Sequence, residues 1–267
     1  MKLKWINTFA FTAMVVVNAL ANLLPIGGYT TRQVSEAYPN LFTPAPFTFA
    51  IWGLIYLLMA VFVVYQWEVF DGGRYSARVR EDIGLWFAGN SVLNIAWIFF
   101  WHNKLIGLSV VCIAMLLFTL VMKQRRIRNV EGSLLQRAAA GAGFSVYYGW
   151  IIAATIANIS VWLTQLGWNG FGLPDGFWTV IVLLAGAVIA FSVVIIGKNR
   201  IAGIAVMWAY AGILYRHISS GYYNGAHPYV IAAAILGEAM ILAAICLPFI
   251  RRVLPEACST SEEQKEE

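Results

Sequence analysis

The charged residues of this 267-residue chain sit in short clusters. The runs between them are apolar, uncharged and roughly 15–25 residues long, which is what a helix needs to cross a hydrocarbon core ~30 Å thick. Only 12% of the residues are charged and 60% are hydrophobic, with a mean hydropathy of +0.72. Soluble domains run nearer ~45–50% apolar and ~25% charged, and no soluble fold could hide the surplus. The pattern predicts an all-α integral membrane protein.

Eight spans are expected, near residues 5–24, 47–67, 83–101, 105–122, 138–160, 177–197, 201–215 and 229–250. Lys and Arg separate sharply under this count. Fifteen lie in segments on the N-terminal side of the membrane, and three, Arg32, Lys104 and Arg216, lie on the other. Basic residues are held on the cytoplasmic side, so both termini are expected in the cytoplasm. The seventh span has 15 uncharged residues between Arg200 and Arg216 and needs both arginines to snorkel outward. In the first span, Lys2, Lys4 and the A-x-A pattern Ala19-Leu20-Ala21 also fit a signal peptide, but the uncharged stretch runs on past that site and favours a retained helix. The Gly/Pro-punctuated stretch from Pro25 to Pro46 reads as a structured cap or re-entrant segment, and the Ser/Glu-rich residues 255–267 as a disordered tail.

Several function classes drop out. The net charge of +5 and pI of 9.2 follow from basic residues bracketing apolar runs, so no nucleic-acid partner is implied. Cys112, Cys246 and Cys258 make no CxxC pair, and His102, His217 and His227 have no metal-ligand spacing. The chain contains no HExxH, Walker A or GxSxG motif.

What remains is a set of polar and aromatic residues inside the spans, where an amide gains nothing from facing lipid. Asn18 and Asn22 are i, i+4 on the first span, and Trp52 and Tyr56 are i, i+4 on the second. Asn90, Asn94 and Trp97 share one face of the third, and Tyr147, Trp150, Ala154 and Asn158 share one face of the fifth. With the expected topology most of them fall in the outer half of the membrane. Each Asn taken alone is equally well explained as interhelical glue, worth ~0.6 kcal/mol, and Trp5, Trp67, Trp162, Trp168 and Trp178 fit interfacial anchors. Four helices converging at one depth favour a flat-walled pocket for a rigid apolar ligand. Glu238, near the middle of the eighth span, reads either as a protonated structural acid or as a proton-coupling group. The cluster from Lys123 to Arg137 fits a topology determinant that could also meet anionic lipid.

Three segments carry a resemblance. They are Pro44-Ala-Pro46-Phe-Thr-Phe49-Ala-Ile-Trp52-Gly-Leu-Ile-Tyr56, Asn90-Ser-Val-Leu-Asn94-Ile-Ala-Trp97-Ile-Phe-Phe100 and Tyr147-Tyr-Gly-Trp150-Ile-Ile-Ala-Ala154-Thr-Ile-Ala-Asn158. In this order they resemble the TspO/translocator-protein family, the tryptophan-rich sensory proteins once called peripheral benzodiazepine receptors. The likeness covers roughly residues 1–165. It departs from the family pattern where Ala45 splits the prolines and where Val146 stands in place of Pro. It implies a TspO-like five-helix membrane domain over 1–165, a three-helix C-terminal membrane extension over 166–254 and the tail. It also implies a cavity open towards the first loop, often a homodimer, and a prokaryotic cell membrane. The expected function is a membrane receptor or sensor-type binding protein for rigid hydrophobic ligands, porphyrin or another tetrapyrrole foremost, without a resident cofactor or metal. A secondary transporter using Glu238 is the alternative. An intramembrane enzyme lacks any nucleophile–base pair.

Overall fold

The computed structural model describes residues 2–24, 26–68, 74–127 and 133–253; the expected disordered tail lies outside them. The described residues are mostly helical, with no strand among them. The long elements are α1 (Lys2–Leu23), α3 (Ile51–Tyr65), α5 (Trp86–His102), α6 (Ile106–Ile127), α7 (Leu134–Gln165), α8 (Asp175–Ile195), α9 (Arg200–Ile218) and α10 (Pro228–Val253), with short α2 (Thr31–Glu36) and α4 (Arg74–Ile83) between them.

Local chemistry sets these boundaries. Capping boxes open two helices, Thr30 with Gln33 for α2 and Ser133 with Gln136 for α7, each satisfying two orphan N–H groups. The Asn199 side chain accepts from the Ala202 amide to start α9. Gly84, with φ +53°, breaks the chain between α4 and α5, and the pair is bent by 55° there. Among the described residues seven helices are long and apolar enough to cross a membrane alone, and α4 with α5 makes an eighth if the bent pair is one span. The expected spans match within a few residues. The short seventh is a full 19-residue helix because Arg200 and Arg216 lie inside it.

Helices α1, α5, α6, α7 and α3 pack each on the next and close into a ring. Its buried core includes Met59, Phe62, Phe87, Phe144 and Ile151. Helices α8, α9 and α10 form a layer against the ring, with α9 lying on α7. Association in lipid depends on close packing rather than on a hydrophobic difference, and the seam shows this. A side chain at Gly149 of α7 would run into the Ala202 carbonyl of α9. Ala205 and Ala209 of α9 belong to the ring's core, and Ile152 of α7 belongs to the layer's core. Within the layer, the Tyr210 hydroxyl donates to the Leu183 carbonyl of α8.

Tryptophan pairs mark both ends of the bundle, as anchors would. Trp5 and Trp67 meet edge to face at 4.6 Å at the end carrying the N-terminus, and Trp168 and Trp178 meet at 5.1 Å at the other. The segment between α1 and α3 folds over that second end as the expected cap. The Trp101 indole donates to the Thr31 carbonyl at 3.0 Å, and Thr31 Oγ1 lies 2.9 Å from His102 Nε2.

Candidate functional site

Under the cap, α1 ends, α3 begins, and α5 and α7 end, so their aromatic residues meet at one level. Trp52 stands at the centre. Its ring stacks on Tyr56 at 5.6 Å and on Trp97 at 6.0 Å, and meets Tyr147 at 5.6 Å and Trp150 at 6.2 Å with tilted or edge contacts. Two cavities adjoin it. The larger, about 190 Å³, is lined by Asn18, Asn22, Tyr56, Ile98 and Arg32. The smaller, about 40 Å³, runs between Trp150, Ala153, Ala154, Ala157 and Asn158 of α7 and the cap residues Phe42 and Pro44. Thr31, Phe49, Trp52 and Trp97 wall both. The alanines make the space, since each leaves unfilled what a larger side chain would occupy.

The amides are engaged with one another. Asn18 Nδ2 donates to Asn94 Oδ1 at 2.7 Å and to the Met14 carbonyl at 2.9 Å, while Asn94 Nδ2 donates to the Tyr147 hydroxyl at 2.8 Å. This chain joins α1, α5 and α7 behind the Trp52 ring. Asn22 Nδ2 donates to the Asn18 carbonyl at 2.9 Å, and Asn158 Oδ1 accepts from Ser109 Oγ at 3.0 Å. Asn90 is placed elsewhere. It donates to Thr119 Oγ1 of α6 at 2.6 Å and lines neither cavity.

The polar atoms left over belong to the aromatic residues. Trp97 Nε1, Trp150 Nε1 and the Tyr56 hydroxyl are buried with no hydrogen-bond partner. Two are pure donors. Leaving a buried donor unpaired costs about 1–3 kcal/mol, so the walls hold unused donor capacity. Arg32 lines the larger space while pairing with Glu36 at 3.1 Å.

Glu238 stands half-buried on α10, lines neither cavity, and makes no hydrogen bond or ion pair with any described residue. Among the described residues no group of three or more His, Cys, Asp or Glu side chains could hold a metal ion. The lining residues that sequence reasoning missed are Thr31, Ser35, Phe42, Pro44, Phe49 and Trp101 at or under the cap, Ile98 of α5, Ala153 and Ala157 of α7, and Ala209 and Ile213 of α9. Only Trp101 carried a signal, being i+4 from Trp97.

A family model described as TSPO-like protein matches residues 4–247. The match continues through α8 and α9 into α10, beyond the five-helix length over which the motifs resemble that family. No curated protein and no solved structure matches the chain.

Proposed function

The chain belongs to the TSPO-like protein family, and from that premise we propose that it is a membrane binding protein of receptor or sensor type, taking a flat, rigid, largely apolar ligand that carries hydrogen-bond acceptors. The observation that carries this reading is the trio of unpartnered polar atoms, Trp97 Nε1, Trp150 Nε1 and Tyr56 OH, set in aromatic walls around a cavity. Stacking surfaces receive a planar ring, and the two indole N–H groups supply direction. A tetrapyrrole fits this chemistry, with a conjugated ring for the indoles and carboxylates as acceptors. Arg32, at the margin of the larger cavity, is placed to meet a carboxylate by exchanging its Glu36 partner.

Size sets the mechanism of uptake. Drug-sized ligands occupy about 300–1,000 Å³, more than either cavity offers at about 190 and 40 Å³. Trp52 walls both, so turning its ring joins them. Ligand binding therefore involves a Trp52 rotation or a lift of the cap. The amide chain Asn18–Asn94–Tyr147 fixes the helices around that movement.

The test is equilibrium binding of protoporphyrin to the protein in lipid nanodiscs, set against empty discs because porphyrins enter lipid unaided. Saturable one-site binding above the empty-disc background, with quenching of tryptophan emission, is expected. Binding equal to that of empty discs would remove the tetrapyrrole assignment.

A further inference from the structure

The cavity is not the property of the five-helix ring alone. Six residues of α9, Trp208, Ala209, Gly212, Ile213, Arg216 and His217, fall in two rows of i, i+4, i+8 spacing and form one stripe. Each meets the cavity or its cap. Ala209 and Ile213, both almost fully buried, are part of the smaller cavity's lining. The other four hold the cap. Trp208 Nε1 donates to the Thr48 carbonyl at 2.9 Å, and the Ala45 amide donates to the Gly212 carbonyl at 3.0 Å. Arg216 donates to the Pro44 carbonyl at 3.3 Å, and His217 Nε2 donates to the Leu41 carbonyl at 2.9 Å. At Gly212 a Cβ would collide with the Thr48 side chain. The Phe47 ring wedges between Trp208 at 5.6 Å and Tyr215 at 5.3 Å.

The segment so held, residues 41–49, includes Phe42, Pro44 and Phe49, which line the cavity from above. Its carbonyls would otherwise need water, and α9 supplies donors to three of them. A lift of the cap must break these bonds together, while the ring's own helices stay in place.

We infer that α9 is both a selecting wall and the latch of the cavity: Ala209 and Ile213 set the size of ligand it admits, and the Trp208–Gly212–Arg216 row governs how readily the cap opens. The C-terminal layer is thereby part of the binding site. The selecting half of this inference rests on the proposed binding function, and the latching half does not.

The experiment has two arms on the full chain in nanodiscs. Without ligand, amide hydrogen exchange is followed across residues 41–50 in Trp208→Phe, which keeps the ring and removes its N–H, and in Gly212→Ala. Trp178→Phe serves as control, since its indole bonds the Gly170 carbonyl and no residue of 41–49. Loss of one such bond is expected to speed cap exchange about fivefold, with Gly212→Ala faster still and the control unchanged. Wild-type exchange rates in both cap variants would overturn the latch.

In the second arm, Ala209→Leu is compared with Ile204→Ala, a change on the exposed face of α9. Protoporphyrin affinity is expected to fall at least tenfold in the first and to hold in the second. Equal affinity in both would overturn the selecting wall. If the wild-type protein binds no protoporphyrin, the tetrapyrrole reading fails by itself, and the exchange arm still decides the latch.

Discussion

At the uncapped end of the ring, Phe62, Phe87 and Phe144 interlock with centroid separations of 4.9–5.8 Å and are fully or almost fully buried. At the capped end, Trp52, Trp97 and Trp150 stand at similar separations around two cavities. Aromatic content alone therefore does not make a site. The phenylalanines face one another and fill their volume. The tryptophans share their cavity with alanines of α7, and Trp97 and Trp150 carry N–H groups that the packing leaves unpaired. The uncapped end also buries Lys123 completely, its amine making no hydrogen bond among the described residues and held over the rings of Phe144 at 4.6 Å and Phe87 at 5.1 Å. Neither cavity reaches it. On the proposed reading, one end is built for stability and the other for a ligand.

Substitutions should separate the two. Phe144→Ala should have the largest effect, a stability loss of about 3–5 kcal/mol in denaturant unfolding, with protoporphyrin affinity of the folded protein unchanged. An affinity loss at constant stability would break the distinction. Asn94→Leu should cost about 1–2 kcal/mol, because it unpairs both Asn18 and Tyr147. It should also weaken binding modestly by loosening the wall behind Trp52. Lys123→Met should raise stability by about 1 kcal/mol, since an unbonded buried amine costs more than two ring faces return. Asn90→Leu should be the mildest, about 0.6 kcal/mol with no change in affinity, and a large loss of binding there would move the site one turn deeper.

Much of this was legible in the residues. Span positions follow from uncharged run length, and the structure adds the caps at Ser133 and Asn199 that fix where α7 and α9 begin. The convergence of Trp52, Trp97 and Trp150 follows from helix direction and spacing. Asn90 shows where periodicity stops being informative. It is a turn from Asn94 on the same broad face, but α6 takes one edge of that face while α1 and α7 take the other. Which amide meets a ligand and which meets a neighbour depends on partner helices that spacing cannot reveal. The role of α9 was hidden for a related reason. Trp208 and Thr48 are 160 residues apart, and the stripe, mixed in size and polarity, carries no local signal of what it meets.

The central claim is that the unpaired indole N–H groups of Trp97 and Trp150 receive the ligand. Its most direct test is the protoporphyrin dissociation constant of the Trp97→Phe/Trp150→Phe double variant in nanodiscs, with Trp178→Phe as control. Both changes keep an aromatic ring and remove a donor. Two lost hydrogen bonds should weaken binding tenfold or more while the control binds as wild type. A double variant that binds as tightly as the wild type would contradict the account.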